Sequence, residues 1–195
     1  LVQGHGWSYN PGDGVQNSSG PLWTVLIALG YLVGGPGVWV PKLLGALCFL
    51  GCVFMAWRLA RTLGGDGWAQ AGAALTTALS GALLWHGLSG METALAALLV
   101  GATVDAYVGA TAGRKRFLWA VWAALGTMTR PEVLVLVPLL AGLRWWAARR
   151  ERGSVRAALL PVGVALAVLV PYFALNLHGA GSLFPSTFAA KSGAT

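Results

Sequence analysis

The sequence predicts an all-α bundle of transmembrane helices, and three observations predict it. Hydrophobic residues make up 56% of the 195 residues and charged residues only 10%, where an ordinary soluble domain carries about 25%. Mean hydropathy is +0.68. The apolar residues gather in long runs with Gly-, Pro- and Arg-rich breaks between them. So few charges cannot cover a soluble surface of this size. That excludes a soluble enzyme, a disordered tail and a small disulfide scaffold. At about 20 residues per span, at most about seven or eight spans fit.

Residues 3–20 are polar and carry turn signals at Asn10-Pro11-Gly12 and Ser18-Ser19-Gly20-Pro21. Residues 21–35 are apolar and helical in character, and Gly34-Gly35-Pro36-Gly37 stops them. Such a helix reaches only about 21 Å, short of a hydrocarbon core of about 30 Å. Longer runs follow at 41–62, 68–88, 91–112, 117–130, 132–148 and 155–176, and residues 177–195 are polar again. The chain therefore reads as one module: an outer loop and juxtamembrane helix over 1–40, six spans over 41–176, and an outer loop over 177–195.

Charge sets the orientation. The formal net charge is +7, which the positive-inside rule explains without nucleic acid as a partner. Arg114, Lys115 and Arg116 form one basic loop; Arg149, Arg150, Arg152 and Arg156 form another, with Arg144 just before it. Both belong on the cytoplasmic side. Two runs lie between them, so Arg130-Pro131-Glu132 falls outside. One span back, Gly90-Met91-Glu92 is outside; another back, Arg58 and Arg61 are inside; another, and Lys42 is outside. Ten of the thirteen basic residues then lie inside, leaving Lys42, Arg130 and Lys191 outside. Run 21–35 is too short to cross and is expected on the outer surface. Trp39, Trp57, Trp68, Trp85, Trp145 and Trp146 fall near span ends, as an aromatic belt requires.

The outer face collects His5, Asp13, Glu92, Arg130, Glu132, His178 and Lys191 from four loops. Charges at membrane depth are costly and point to a site. For each there is a plainer reading. Arg130 and Glu132 flank a proline as a local ion pair would, and Glu92 suits a helix N-terminus. Asp105, near the inner end of its span, reads as structural. His86 reads as hydrogen-bonded at the interface. Cys48 and Cys52, four apart, share one helix face and read as packing. No metal-ligand spacing, phosphate loop, dinucleotide turn or nucleophile elbow is present.

Six short segments, in four groups, carry a resemblance. Gly4-His5-Gly6-Trp7, Asn10-Pro11-Gly12 and Ser19-Gly20-Pro21-Leu22-Trp23-Thr24 resemble the first outer loop of bacterial GT-C-fold glycosyltransferases. The nearest likeness is to the terminal arabinofuranosyltransferases of the mycobacterial cell wall; the protein O-mannosyltransferases share the layout more distantly. Ser89-Gly90-Met91-Glu92-Thr93-Ala94-Leu95 resembles their Gly-Leu-Glu-Thr motif, with Met for Leu. Thr129-Arg130-Pro131-Glu132 resembles their Arg-Pro-Glu or Arg-Pro-Asp motif. Phe184-Pro185-Ser186-Thr187-Phe188-Ala189-Ala190-Lys191 resembles their Pro-Asn-Thr-Tyr-Tyr-Ala-Lys, with Ser186 in place of Asn.

The resemblance implies transfer of a sugar from a polyprenyl-phosphate donor to a glycan or other acceptor hydroxyl, at the outer face of a bacterial plasma membrane. It also implies that the catalytic acidic pair ends a span upstream of Leu1, so that residues 1–195 alone are expected to be inactive. The candidates for the donor phosphate are Arg130, Lys191 and Lys42. Those for the sugar or acceptor are Glu92, Glu132, His5 and Asp13, the last matched to no motif. Some members of the superfamily use a divalent metal; nothing here demands one. The rival expectations are a transporter or flippase for a lipid-linked sugar and a non-catalytic assembly subunit. Transporters place charges at the bilayer midplane and carry internal repeats, and neither feature is read here.

Overall fold

A computed structural model describes residues 20–110, 117–150 and 156–180. These form eight α-helices and one 3-10 turn, with no strand among the described residues. The helices are α1 (Pro21–Gly34), α2 (Trp39–Thr62), α3 (Gly67–Ala78), α4 (Gly81–Leu88), α5 (Thr93–Val108), α6 (Leu118–Thr127), α7 (Leu136–Arg150) and α8 (Arg156–Ala180). The 3-10 turn, Pro131–Val135, leads into α7. The described parts of all six apolar runs read from the sequence are mainly helical. Two helical stretches are long and apolar enough to cross a membrane unaided, Trp39–Thr62 and Pro131–Arg149.

Run 68–88, read as a single helix, is instead two. Ser80 breaks it: its hydroxyl accepts the amide of Leu83 and caps α4. Asp66 caps α3 in the same way, accepting the amide of Ala69 at 2.8 Å. Serine and aspartate side chains offer the backbone this local alternative to a continuing helix. Hydropathy alone does not register the change.

Contacts along the helices give their directions. Down the α2–α5 interface, Cys52 donates to the Ala94 carbonyl at 3.4 Å, Met55 abuts Gly101, and Arg58 pairs with Asp105. These pairs advance together, so α2 and α5 run the same way. The α3–α4 segment, which links them in sequence, returns alongside α2. A Cβ at Gly45 would collide with the Gly87 carbonyl, so only glycine permits α4 to approach α2 this closely. Helix α6 runs back along α5, with Trp119 edge-on to Tyr107 at one end and Gly126 against Leu99 toward the other. Helix α7 turns again, and Arg144 reaches the Ala110 carbonyl at 3.1 Å.

The main core lies where α6, α7 and α8 meet, around Trp119, Ala123, Leu140, Leu169 and Tyr172. A second core holds Trp23 against Leu95 and Leu99. Helix α1 begins beside Gly90 and Met128, and its Gly30 meets Val40 at the start of α2. It therefore packs across one end of the bundle.

The outward face of α2 is apolar. Leu43, Leu47, Leu50 and Phe54 recur every three or four residues and are 50%, 55%, 60% and 55% exposed, which makes them one stripe. Trp39 stands above this stripe, and Trp57 and Arg61 below it. A span in contact with lipid would carry that order.

Candidate functional site

Three segments meet where α1 crosses the bundle. The first is the start of α1. Pro21 occupies the first helical turn, where a missing N–H costs nothing. The Leu22 amide donates to the Met128 carbonyl at 3.2 Å. The Trp23 indole N–H donates to the Gly90 carbonyl at 3.1 Å. A Cβ on Gly20 would sit 2.9 Å from the Thr129 carbonyl oxygen and 3.4 Å from Glu92 Cγ. The approach is close enough to call for glycine.

The second segment is the turn before α5. Gly90 has φ +79, in the left-handed region open to glycine. The turn delivers Glu92 to the N-terminal end of α5, where its carbonyl accepts the Ala96 amide. A carboxylate is favoured there by the helix dipole.

The third is the exit from α6. The residue before a proline is driven out of helical conformation, and Arg130 is extended at φ −143, ψ 121. The Thr127 and Thr129 hydroxyls donate back to the Ala123 and Leu125 carbonyls as the helix ends. The Arg130 side chain is thereby aimed at α5. Its Nη2 lies 3.1 Å from Glu92 Oε1 and donates to Thr93 Oγ1 at 2.9 Å. Nε is buried without a hydrogen-bond partner. The side chain as a whole keeps 38% of its surface exposed, against 19% for Glu92.

One nitrogen of Arg130 is thus anchored to α5 and another is enclosed, while the side chain as a whole keeps part of its surface in solvent. An arginine held this way is partly neutralised, fixed in direction and open to an incoming anion.

The other sequence candidates fall as follows. Glu132, on the 3-10 turn, is exposed and does not pair with Arg130. The local ion pair across Pro131 is therefore replaced by one across two helices. Lys42 is exposed in the first turn of α2, one residue after Pro41, which packs against Gly90. His5, Asp13 and Lys191 lie outside the described residues, as does the side chain of His178. Among the described residues no group of His, Cys, Asp or Glu is arranged to hold a metal ion.

Two site residues had no role assigned from the sequence. Thr93 and Trp23 stand inside the quoted motifs, and that proximity was the only signal. His86 departs from expectation, because its Nδ1 is buried without a hydrogen-bond partner. The structural reading of Asp105 agrees with its contacts. Its carboxylate takes Arg58 Nε at 2.8 Å and the Thr62 hydroxyl at 2.7 Å, and it is 7% exposed.

Comparison with protein-family models, with curated proteins and with solved structures finds no match for this chain.

Proposed function

We propose that this chain is the membrane module of a glycosyltransferase that draws on a polyprenyl-phosphate sugar and acts at the outer face of a bacterial plasma membrane. In this reading the helical stretches make six crossings: α2, α3 with α4, α5, α6, the 3-10 turn with α7, and α8. Helix α1 lies at the outer surface. The alternating helix directions and the inner concentration of arginines support it.

One observation carries the functional reading. Segments 20–23, 89–93 and 128–132 hold three of the motif resemblances, are remote in sequence and pack together around a half-open arginine. In the proposed reaction the acceptor hydroxyl attacks the anomeric carbon while the bond to the phosphate oxygen breaks. Negative charge grows on the leaving phosphate, and a fixed cation beside it lowers the barrier. Arg130 is assigned that contact, with Lys42 and Lys191 as further cations. Glu92 and Thr93 set the direction of Arg130. Glu132, exposed beside it, is assigned to sugar or acceptor hydroxyls, with His5 and Asp13. The proton from the acceptor requires a carboxylate base.

The test is sugar transfer from a labelled polyprenyl-phosphate donor to an acceptor by the intact cellular protein in membranes. Transfer supports the proposal. Movement of the intact donor across the bilayer without transfer would replace it with the transporter reading.

A further inference from the structure

We infer that the end of the bundle opposite Arg130 carries two binding positions for anionic phospholipid headgroups, one at Arg61 and one at Arg149. This rests on the membrane placement and not on the transferase reading.

The described arginines at that end are of two kinds. Arg58 is committed to Asp105 and Arg144 to the Ala110 carbonyl. Arg61 and Arg149 are exposed and have no ion pair or side-chain hydrogen bond among the described residues. Each instead lies over the tryptophan one helical turn earlier. The Arg61 Cζ is 5.7 Å from the Trp57 ring centre, and the Arg149 Cζ is 3.9 Å from that of Trp145.

Stacking uses the face of a guanidinium and leaves its in-plane N–H donors free. It also restricts the side chain in advance, so less freedom is lost when an anion binds. Two parallel N–H donors fit two phosphate oxygens. The same construction occurs on two separate helices. The described carboxylates at this end are Asp105, held by Arg58 and Thr62, and Asp66, which accepts the Ala69 amide.

The apolar surface beside these arginines selects a lipid over a soluble phosphate. Arg61 continues the exposed α2 stripe of Leu50 and Phe54. Leu139, Leu143 and Trp146 are exposed on α7 above Arg149. An acyl chain would lie along either surface while its phosphate meets the arginine.

The test uses the purified chain in bilayer discs made with equal phosphatidylglycerol and phosphatidylcholine, with retained lipids counted by native mass spectrometry. Enrichment of phosphatidylglycerol is expected, falling as salt rises from about 0.1 to 0.5 M. Arg61→Gln and Arg149→Gln should each reduce that enrichment about fivefold. Lysine at either position should recover only part of it, since the charge remains but the stacked planar fork is lost. Inorganic phosphate at millimolar concentration should not displace the lipid.

No enrichment by the wild-type chain would overturn the inference, and this result needs no variant to fold. So would full enrichment in the double glutamine variant, or displacement by inorganic phosphate. Anionic-lipid enrichment by the chain, with no sugar transfer by the intact cellular protein in membranes, would leave the inference standing and remove only the transferase reading.

Discussion

Glu92 Oε1 lies 3.1 Å from Arg130 Nη2, joining the start of α5 to the end of α6. The pair carries the site's geometry and sets its charge. With Glu92 ionised, the described pair is close to neutral, and an incoming phosphate meets both the attraction of Arg130 and the repulsion of Glu92.

The roles of Glu92 separate by substitution. Glu92→Gln keeps an oxygen for Arg130 Nη2 and removes the negative charge. Polyprenyl phosphate should bind about two- to tenfold more tightly to it than to the wild type, because a nearby like charge is gone. Glu92→Ala also removes the anchor and should lose this gain. The measurement is affinity for polyprenyl phosphate in detergent. Weaker binding by Glu92→Gln would mean that the guanidinium needs the full ion pair to hold its direction.

Trp23 should control the order of the turn before α5. Trp23→Phe keeps a ring in a site that is 6% exposed and removes the N–H donated to Gly90. One hydrogen bond of this kind is worth about 1 kcal/mol. Amide exchange at residues 92–96 should quicken about fivefold, while the α6–α8 core is unaffected. Unchanged exchange would show that the turn is held by packing alone.

At the opposite end, the Arg58–Asp105 pair should respond asymmetrically. Asp105 is 7% exposed and Arg58 47%. Arg58→Ala strands a buried carboxylate with only the Thr62 hydroxyl, at a cost of about 2–4 kcal/mol. Asp105→Asn keeps an acceptor for Thr62 and leaves Arg58 able to reach water, at a cost of about 1 kcal/mol. Unfolding in mild detergent should rank them in that order. The reverse order would mean that Arg58 also holds the bundle through contacts of its own.

Orientation is open to labelling from outside the cell, in a background lacking Cys48 and Cys52. Ser89→Cys should react with an impermeant thiol reagent, and Leu63→Cys should not. Both positions are exposed, so access is decided by the membrane. Labelling at 63 without labelling at 89 would invert the topology and move Arg130 to the cytoplasmic face.

The helices were legible because long apolar runs and helix breakers leave strong marks on composition. The described parts of every apolar run are mainly helical, and α1 has the 14-residue length read from the sequence. The division at Ser80 was not legible, since a capping hydroxyl inside an apolar run hardly alters hydropathy. Of the charges that the sequence reading gathers on one face, Glu92 and Arg130 meet in the structure, Glu132 is exposed, and His5, Asp13, Lys191 and the side chain of His178 lie outside the described residues. The pairing was not legible. Arg130 and Glu132 are close in sequence and flank a proline, so a local pair was the simpler expectation. The turn at Gly90 and the extended backbone before Pro131 instead bring Arg130 to Glu92. That choice depends on how α5 and α6 pack, and neither periodicity nor charge count carries it.

Binding of polyprenyl phosphate compared with the uncharged polyprenol, by the wild type and by Arg130→Ala, tests the central claim most directly. The two ligands share a tail, so their difference isolates the phosphate contact. The wild type should prefer the phosphate, and Arg130→Ala should lose roughly ten- to hundredfold of that preference, the magnitude of a charge-assisted hydrogen bond. Arg130→Lys should recover part of it. An undiminished preference in a folded Arg130→Ala protein would contradict the assignment of Arg130 to the donor phosphate.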